Sequence, residues 1–499
     1  MNKIRKVLVA NRSEIAVRII RGLQELGIKT VAIYSEIDKN ALHTQVADEA
    51  VLIGKAPANE SYLNQDRIIE AALKTECDAI HPGYGFLSEK YDFNQKVRDS
   101  GLIFIGPNPL SMKLLGSKVE SRITMIEAGI PVCPGMKGSS KDFEEFEKVA
   151  QEIGFPVLVK ASDGGGGKGM RIVRELKDLK SSVEAAMRES ISSFGSDVIF
   201  LEKYIESPRH IEFQVAGDHY GNAIHLFERE CSIQRRHQKI IEETPSPILD
   251  SELRKKMGET AVKVIKASNY DNVGTVEFLL DKDKNFYFLE VNARIQVEHP
   301  ITEMTTGVDL LKLQVHISEG KELPFKQEDL VQRGHSLECR IYAEDPDNSF
   351  MPSPGKIHFL KEPTGIGVRY DSGITQNSEV SIYYDPILAK LITYGQNREE
   401  SRIRMINALK ENVILGVKTS IPLMIEVLQH KEYISGNIST NFLNDYFSEK
   451  IPVNEDETKL ALAVAGLTQV QKKGKVKDNS VNGIQSNPWL EIGKWELFS

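Results

Sequence analysis

The sequence predicts an α/β protein of several domains that opens on a parallel sheet. Three observations carry that class. Residues 1–115 alternate short apolar runs with helix-period stretches, four glycines at 164–167 stand between two further apolar runs, and residues 273–298 read as a hairpin with one charged face. At 499 residues the chain can hold roughly two to four domains, each burying its own core.

In chain order, Lys6–Ala10 reads as a strand, Ser13–Leu26 as a helix with one apolar stripe, and Lys29–Tyr34 as a second strand. Cys77–Ile80 and Leu102–Ile105 continue the series, each followed by glycine or proline. This is a βαβ pattern with a parallel sheet. No G-x-G-x-x-G follows the first strand, so a dinucleotide site is not supported. The turn His81-Pro-Gly-Tyr-Gly-Phe-Leu-Ser-Glu89 follows a strand, where α/β sheets place ligands, but as a lone loop it reads more readily as structural.

A second unit starts near Lys118. Its strand Val157–Lys160 leads into Ala161-Ser-Asp-Gly-Gly-Gly-Gly-Lys-Gly-Met170 and then Arg171–Val173. Successive glycines let backbone N–H groups approach phosphate oxygens closely. The loop is not a Walker A sequence, because no Lys-Ser/Thr follows its glycines. Strand, glycine loop and strand suggest a flap that closes over a nucleotide, with a loose hairpin linker as the alternative. Lys160 and Lys168 beside the glycines favour anions. After the strand Val198–Leu201 comes a polar run, 228–239, carrying Arg229, Arg235, Arg236, His237 and Lys239. Glu228, Glu230 and Glu242 lie in or near it, and no aromatic is interleaved to stack bases, so a small oxyanion is a more economical partner than nucleic acid.

The hairpin is the most informative stretch. Val273–Leu280 is one strand and 286–298 the other. In the second, Tyr287, Leu289, Val291, Ala293, Ile295 and Val297 are apolar, while the alternate set runs Phe286, Phe288, Glu290, Asn292, Arg294, Gln296 and Glu298. If 282–285 form the loop, Glu277 stands opposite Glu290, with Cβ atoms ~5 Å apart. At an effective dielectric of about 20 they repel by roughly 3 kcal/mol. A divalent hard cation held by Glu277, Glu290 and Asn292 would turn that repulsion into binding. A solvated hairpin with scattered charges accounts for the same residues equally well.

Composition excludes other classes. The net charge of −8, with no Lys/Arg-rich tract, argues against non-specific nucleic-acid binding. No apolar run approaches the ~20 residues needed to cross a bilayer, and the basic N-terminus lacks a secretory apolar core. Cys77, Cys133, Cys231 and Cys339 are far apart, form no metal-ligand pair, and read as reduced thiols in a cytosolic protein.

Several long motifs, in order, closely resemble biotin carboxylase: Ala10-Asn-Arg-Ser-Glu-Ile-Ala16, the 81–89 turn, 160–170, Gln234-Arg-Arg-His-Gln-Lys239, Glu290-Val-Asn-Ala-Arg-Ile-Gln-Val-Glu-His299 and Gly334-His-Ser-Leu-Glu-Cys-Arg-Ile-Tyr-Ala-Glu-Asp345. The resemblance covers residues 1–447 and implies an ATP-grasp fold. Its domains would be an N-terminal parallel α/β (Rossmann-like) domain at 1–115, an ATP-grasp domain at 116–330 with a mobile lid near 133–205, and a C-terminal mixed α/β domain at 331–447. The implied activity is ATP-dependent carboxylation of biotin with bicarbonate, using Mg²⁺ or Mn²⁺, through carboxyphosphate.

The resemblance also assigns roles. Lys118, Lys160, the flap backbone at Gly165, Gly166 and Gly167, and Met170 would bind ATP, with Glu202, Lys203 and Ile205 around adenine and His210, Gln234 and His237 lining the nucleotide site. Glu277, Glu290 and Asn292 would hold the metal. Lys239, Arg294, Gln296 and Val297 would bind bicarbonate, with Glu298 as general base. Tyr84 and Arg340 would meet biotin, Arg340 facing the ureido oxygen. Four positions depart from the family pattern: Ser13 and Asp163 stand where glycine is usual, Ser117 where Asp is common, and Tyr342 where Asn is common. Asp163 is the one that bears on the nucleotide: it either weakens affinity or only caps the loop.

The segments at 383–392 and 416–422 resemble the form seen in pyruvate and acyl-CoA carboxylases. No Ala-Met-Lys-Met biotinylation sequence occurs, so the biotin carrier protein and the carboxyltransferase subunit are expected as separate polypeptides. A homodimer or larger assembly in the cytoplasm is implied, with no membrane or nucleic acid. The tail at 448–499 holds both tryptophans, and either docks such a partner or packs on its own domain. Two rivals remain: another ATP-grasp ligase, which would lack the Arg294–Glu298 pocket and Arg340, and a silent regulatory subunit, against which Lys239, Glu298 and Arg340 argue.

Overall fold

The computed structural model describes residues 3–140, 142–162, 170–194, 197–236 and 238–448, together with 459–460 and 463–464. The expectations for Gly165, Gly166, Gly167, Asp163 and His237, and those for the tail and its tryptophans, lie outside the described residues.

The N-terminal alternation folds as five parallel strands, β1 (Lys6–Val9), β2 (Lys29–Ser35), β3 (Glu49–Gly54), β4 (Ala79–His81) and β5 (Ile103–Phe104), in the order β3-β2-β1-β4-β5. The sequence reading missed β3, an edge strand whose largely exposed side chains give no apolar alternation. Helix Ser13–Glu25 packs Ile15, Ile19, Ile20 and Leu23 against Val7, Val9 and Ala79. Its first residue, Ser13, has φ +57°, which explains why glycine suits this turn. The serine also commits its neighbour, because a Cβ on Gly373 would lie 2.2 Å from Ser13 Oγ. Ser117 is absorbed simply: it caps helix Lys118–Glu127, accepting from the Glu120 N–H at 3.3 Å.

The next layer is a three-stranded antiparallel sheet, β6 (Val157–Ala161), β7 (Arg171–Val173) and β8 (Ile199–Lys203), in the order β7-β6-β8. Helices Phe143–Ile153 and Leu179–Phe194 cover it through Phe146, Ala150, Val183 and Ala186.

An eight-stranded antiparallel sheet carries the site. Its strands are β9 (Arg209–Gly217), β10 (Ala223–Arg235), β11 (Gln238–Thr244), β12 (Asn272–Leu280), β13 (Phe286–Asn292), β14 (His335–Tyr342), β15 (Val368–Ser372) and β16 (Ile387–Gly395), in the order β13-β12-β9-β10-β11-β14-β16-β15. One face is core. Ile211, Phe213 and Val215 of β9 pack with Val276, Phe278 and Leu280 of β12 and with Phe286, Phe288 and Val291 of β13. Phe278 meets Phe213 and Phe286 edge-on, centroids 6.2 and 5.6 Å away, and burying each ring contributes about 1.5–3 kcal/mol.

The hairpin corrects the sequence reading in two ways. Glu277 does pair with Glu290, but not through a four-residue loop: Leu280 pairs with Phe286, Phe278 with Phe288, and a bulge at Leu289 restores the 277–290 pair. That bulge explains why the apolar residues change parity, with Phe286 and Phe288 in the core before it and Val291 and Ala293 after it. The strand also ends at Asn292, so Arg294, Gln296 and Glu298 lie on the turn leading into helix His299–Thr306 and not on one continuous strand face.

A clasp joins the N-terminal helix to the far edge of this sheet. Arg18 Nη2 lies 3.0 Å from both Glu303 and Asp309, and Arg369 bonds Glu303 at 2.7 Å and Asp371 at 2.9 and 2.8 Å.

Candidate active site

The site grows from strand pairing. Register sets Glu212 of β9 beside Glu277 of β12, and Glu277 beside Glu290 of β13, so three carboxylates stand in one cross-strand row. Such neighbours repel unless something positive intervenes. Two buried cations do. Lys239 of β11 donates to Glu212 Oε2 at 2.5 Å, Glu277 Oε1 at 2.9 Å and Glu298 Oε1 at 2.6 Å. Arg229, fully buried, uses all five of its N–H donors, bonding Glu212, Gln214, Thr302, Thr275 and Gln296 at 2.6–3.1 Å. Burial alone would lower Lys239 and raise the acids. The mutual attraction wins, holding Lys239 well above its ordinary value and Glu277 and Glu212 well below theirs.

The turn after β13 completes the cluster. Gln296 accepts from Arg229 and donates to Glu277 Oε1 at 2.9 Å, and Asn292 donates to the same oxygen at 2.9 Å. Arg294 donates to Asn292 Oδ1 at 2.8 Å and lies 3.1 Å from Glu89. The 81–89 turn, which reads as structural from sequence, therefore reaches the site. Glu298 is bridged between Lys239 and Arg340 Nη2 (2.8 Å), and Arg340 also holds Glu242 at 2.6 Å. The Val297 carbonyl accepts from the buried Lys390 at 2.9 Å, fixing the turn on which Glu298 sits. Tyr84 is half-buried, its hydroxyl lacks a hydrogen-bond partner among the described residues, and its ring lies 5.9 Å from Lys390 Nζ.

Of the residues expected around the nucleotide, Lys160, Glu202 and Lys203 lie on the three-stranded sheet. Lys160 pairs with Glu202 at 2.5 Å, with Arg122 3.6 Å from the same carboxylate. Lys118 begins its helix within electrostatic reach of Glu290, its pKa lowered mainly by burial. Lys203 turns its ammonium to the carbonyls of Gly154 and Phe155 at 3.1 and 2.9 Å, so this charge is not brought to the cluster. Ile205 and Met170 are half-buried nearby in sequence, and Gln234 is buried on β10 opposite Lys239. His210 sits 3.2 Å from Glu277 and 3.7 Å from Glu212. Burial opposes its charge, but the two carboxylates raise it to about 9.

Among the described residues two clusters bring potential ligand atoms together around the row: His210, Glu212 and Glu277, and Glu212, Cys231 and Glu298. In the first cluster the two carboxylates hold His210 toward its protonated form, which offers no lone pair to a cation. Glu290 is different: no hydrogen bond or ion pair reaches its carboxylate among the described residues, and burial and Glu277 push its pKa up. An unpaired carboxylate beside Glu277, with Asn292 adjacent, fits Mg²⁺, a hard cation that takes oxygen ligands.

Sequence reasoning missed Glu212, Gln214, Arg229 as a buried residue, Glu338 and Lys390. The first two carried a signal, since His210, Glu212 and Gln214 alternate with Ile211, Phe213 and Val215 as in the hairpin.

Three family models cover most of the chain: the biotin carboxylase N-terminal domain at 3–112, the carbamoyl-phosphate synthase L chain ATP-binding domain at 117–326, and the biotin carboxylase C-terminal domain at 338–445. The chain is 50% identical over 444 residues to biotin carboxylase 1 of Bacillus subtilis, covering 89% of this chain and 99% of that protein. It is 49% identical over 503 residues to the mitochondrial propionyl-CoA carboxylase alpha chain of Sus scrofa, covering 99% of this chain and 68% of that one. A solved dimer of the biotin carboxylase domain of Hydrogenobacter thermophilus 2-oxoglutarate carboxylase, in complex with MgADP, ADP and bicarbonate, superimposes with a TM-score of 0.86 at 48% identity, covering 89% of this chain and 98% of that one. With its fold, its carboxylate row and these matches, the chain belongs to the biotin carboxylase family.

Proposed function

We propose that the row of carboxylates and the turn after it are where this biotin carboxylase performs its reaction, the ATP-dependent carboxylation of biotin by bicarbonate, and that the roles divide as follows. Lys118, Lys160, Met170 and the flap at Gly165, Gly166 and Gly167 bind ATP phosphates, with Glu202, Lys203, Ile205, His210, Gln234 and His237 around the nucleotide. Glu277 and Glu290, with Asn292 beside them, would hold Mg²⁺ or Mn²⁺, whose charge offsets that gathering on the transferred phosphoryl group.

Arg294 offers a planar fork to bicarbonate, with Lys239, Gln296 and the backbone of Val297 around it. Glu298 takes the bicarbonate proton as its oxygen attacks the γ-phosphorus and ADP leaves. Carboxyphosphate then splits into CO₂ and phosphate. The phosphate accepts the ureido N–H proton, the nitrogen bonds to CO₂, and Arg340 offsets the charge that builds on the ureido oxygen, with Tyr84 beside the ring. The observation that carries this reading is Glu298, buried between Lys239 and Arg340, where a base is held ionised by two cations.

We assign three modules, 1–115, 116–330 with a lid near 133–205, and 331–447; the separate family matches at 3–112, 117–326 and 338–445 support a division into three. The biotin is assigned to a carrier protein outside this sequence, and transfer to the acceptor to a carboxyltransferase subunit. A homodimer is assigned by analogy with the dimeric relative. Four buried, unpaired cysteines suit a cytoplasmic setting, and no helix among the described residues is long and apolar enough to cross a membrane. The test is ADP release with Mg²⁺-ATP. It should require bicarbonate and rise on adding free biotin, and ADP release indifferent to both would overturn the reading.

A further inference from the structure

Beside Arg340 two more glutamates face each other. Strand pairing sets Glu242 of β11 directly opposite Glu338 of β14. Their Cβ atoms are then ~5 Å apart. Both are 0% exposed. Glu242 gives Oε1 to Arg340, while its Oε2 and both oxygens of Glu338 are buried with no hydrogen-bond partner. The cations around Glu338 are engaged elsewhere. Lys390 points at the Val297 carbonyl and lies 3.4 Å from Glu14, and Arg340 lies between Glu242 and Glu298.

Two ionised carboxylates would not be stable in that space. Burial, and then the neighbouring acids against the pull of Lys390 and Arg340, leave Glu338 well above the ordinary carboxylate range; Glu242, also raised by burial but held down by Arg340, titrates near 7. A proton between the two supplies the donor that the orphaned oxygens lack.

We propose that Glu242 and Glu338 form an acid–carboxylate pair holding one proton, in which Glu338 donates to the free oxygen of Glu242, and that this pair positions Arg340 for the ureido oxygen. The proposal rests on the assignment of Arg340 to biotin. Glu338 is a positioning residue, acting through Glu242. A second negative charge at Glu338 would pull the guanidinium back toward β14, and an apolar side chain there would leave Glu242 Oε2 desolvated and unpaired. With Glu338 neutral, the guanidinium has two counter-charges, Glu242 behind it and Glu298 in front. When Glu298 takes the bicarbonate proton, the front counter-charge is lost while Glu242 still grips the guanidinium. Nη2, which lies beside both Glu242 and Glu298, then keeps a single charged partner and can turn toward the oxygen on which charge develops.

The test compares E338Q and E338A with wild type in two assays on the full chain: bicarbonate-dependent ADP release without biotin, and the same release with free biotin. Glutamine mimics the protonated acid and can donate to Glu242; alanine cannot. E338Q should keep the stimulation by biotin within about two-fold of wild type, whereas E338A should lose roughly ten-fold of it while basal ADP release is retained. A protonated-carboxyl C=O band at neutral pH should appear in the infrared difference between wild type and E338Q, an outcome independent of activity. Equal loss of stimulation in both variants, or no loss in E338A, or no such band, would overturn the proposal. Wild-type release that ignores bicarbonate and biotin would instead overturn the reading of the site itself, so the two failures are distinct.

Discussion

The clasp and the catalytic row are both buried ionic networks, yet they are built on opposite plans. In the clasp each carboxylate of Glu303, Asp309 and Asp371 meets a guanidinium of Arg18 or Arg369. Two guanidinium groups engage all three carboxylates from within the protein. In the row, Glu212 and Glu277 are engaged by Arg229 and Lys239, but Glu290 stands against Glu277 with no ion pair among the described residues. The difference is a working criterion: a network whose carboxylates are all engaged holds domains together, and one that leaves a carboxylate unengaged marks where a charged substrate or cation belongs.

Variants at the two networks should separate these roles. The largest effect is expected at Glu298. E298Q should lower bicarbonate-dependent ADP release by roughly 10²–10⁴-fold, and wild-type rates would refute the base assignment. Next comes Arg229→Met, which takes from the buried Glu212 one of its two close cations and leaves Gln214, Thr275 and Gln296 without their shared donor. Denaturant unfolding should show a loss of about 3–5 kcal/mol. Arg369→Met in the clasp, a partly exposed site, should cost about 1–3 kcal/mol and leave the Mg²⁺ dependence of ADP release where it is. A shift in that dependence would erase the contrast drawn here.

The smallest stability effect, and the sharpest contrast, is expected from Glu290→Gln. Glu290 has a raised pKa, so its contribution to stability is present below the unfolded carboxylate value and is lost as pH rises through the folded one. Without Mg²⁺, E290Q should therefore equal or slightly exceed wild type in melting temperature at neutral pH, yet need more Mg²⁺ for ADP release. Asp371 behaves oppositely. Burial would raise it, but Arg369 holds it down to about 2. Its contribution is present above the unfolded carboxylate value and disappears as pH falls toward 2, so Arg369→Met should narrow the gap to wild type in acid and not at neutral pH.

Much of this was legible in the sequence because it is local. The apolar runs before Asn11 and Tyr84 fix the parallel strands, and alternation at 210–214 and 273–280 separates core from site. The Glu277–Glu290 pair could be read from the hairpin, although the loop is one residue longer than read and the bulge at Leu289 restores the pairing. What could not be read is non-local. Arg229 sits in a basic run that looks solvated, and nothing near it shows that Glu212, Thr275 and Gln296 converge on it from three other segments. Glu242 and Glu338 are 96 positions apart and meet only because β11 pairs with β14. The strand ending at Asn292 was misjudged because alternation persists through the turn, where Arg294, Gln296 and Glu298 each find a different partner.

The bulge at Leu289 has a consequence for how this strand can change. It divides one seven-residue strand into two halves with separate obligations: Phe286 and Phe288 answer to the apolar core, Glu290 and Asn292 to the chemistry. The core half can drift among large apolar residues without re-aiming the carboxylate, and the polar half can be tuned without repacking the core. A single inserted residue has made the two jobs separately evolvable.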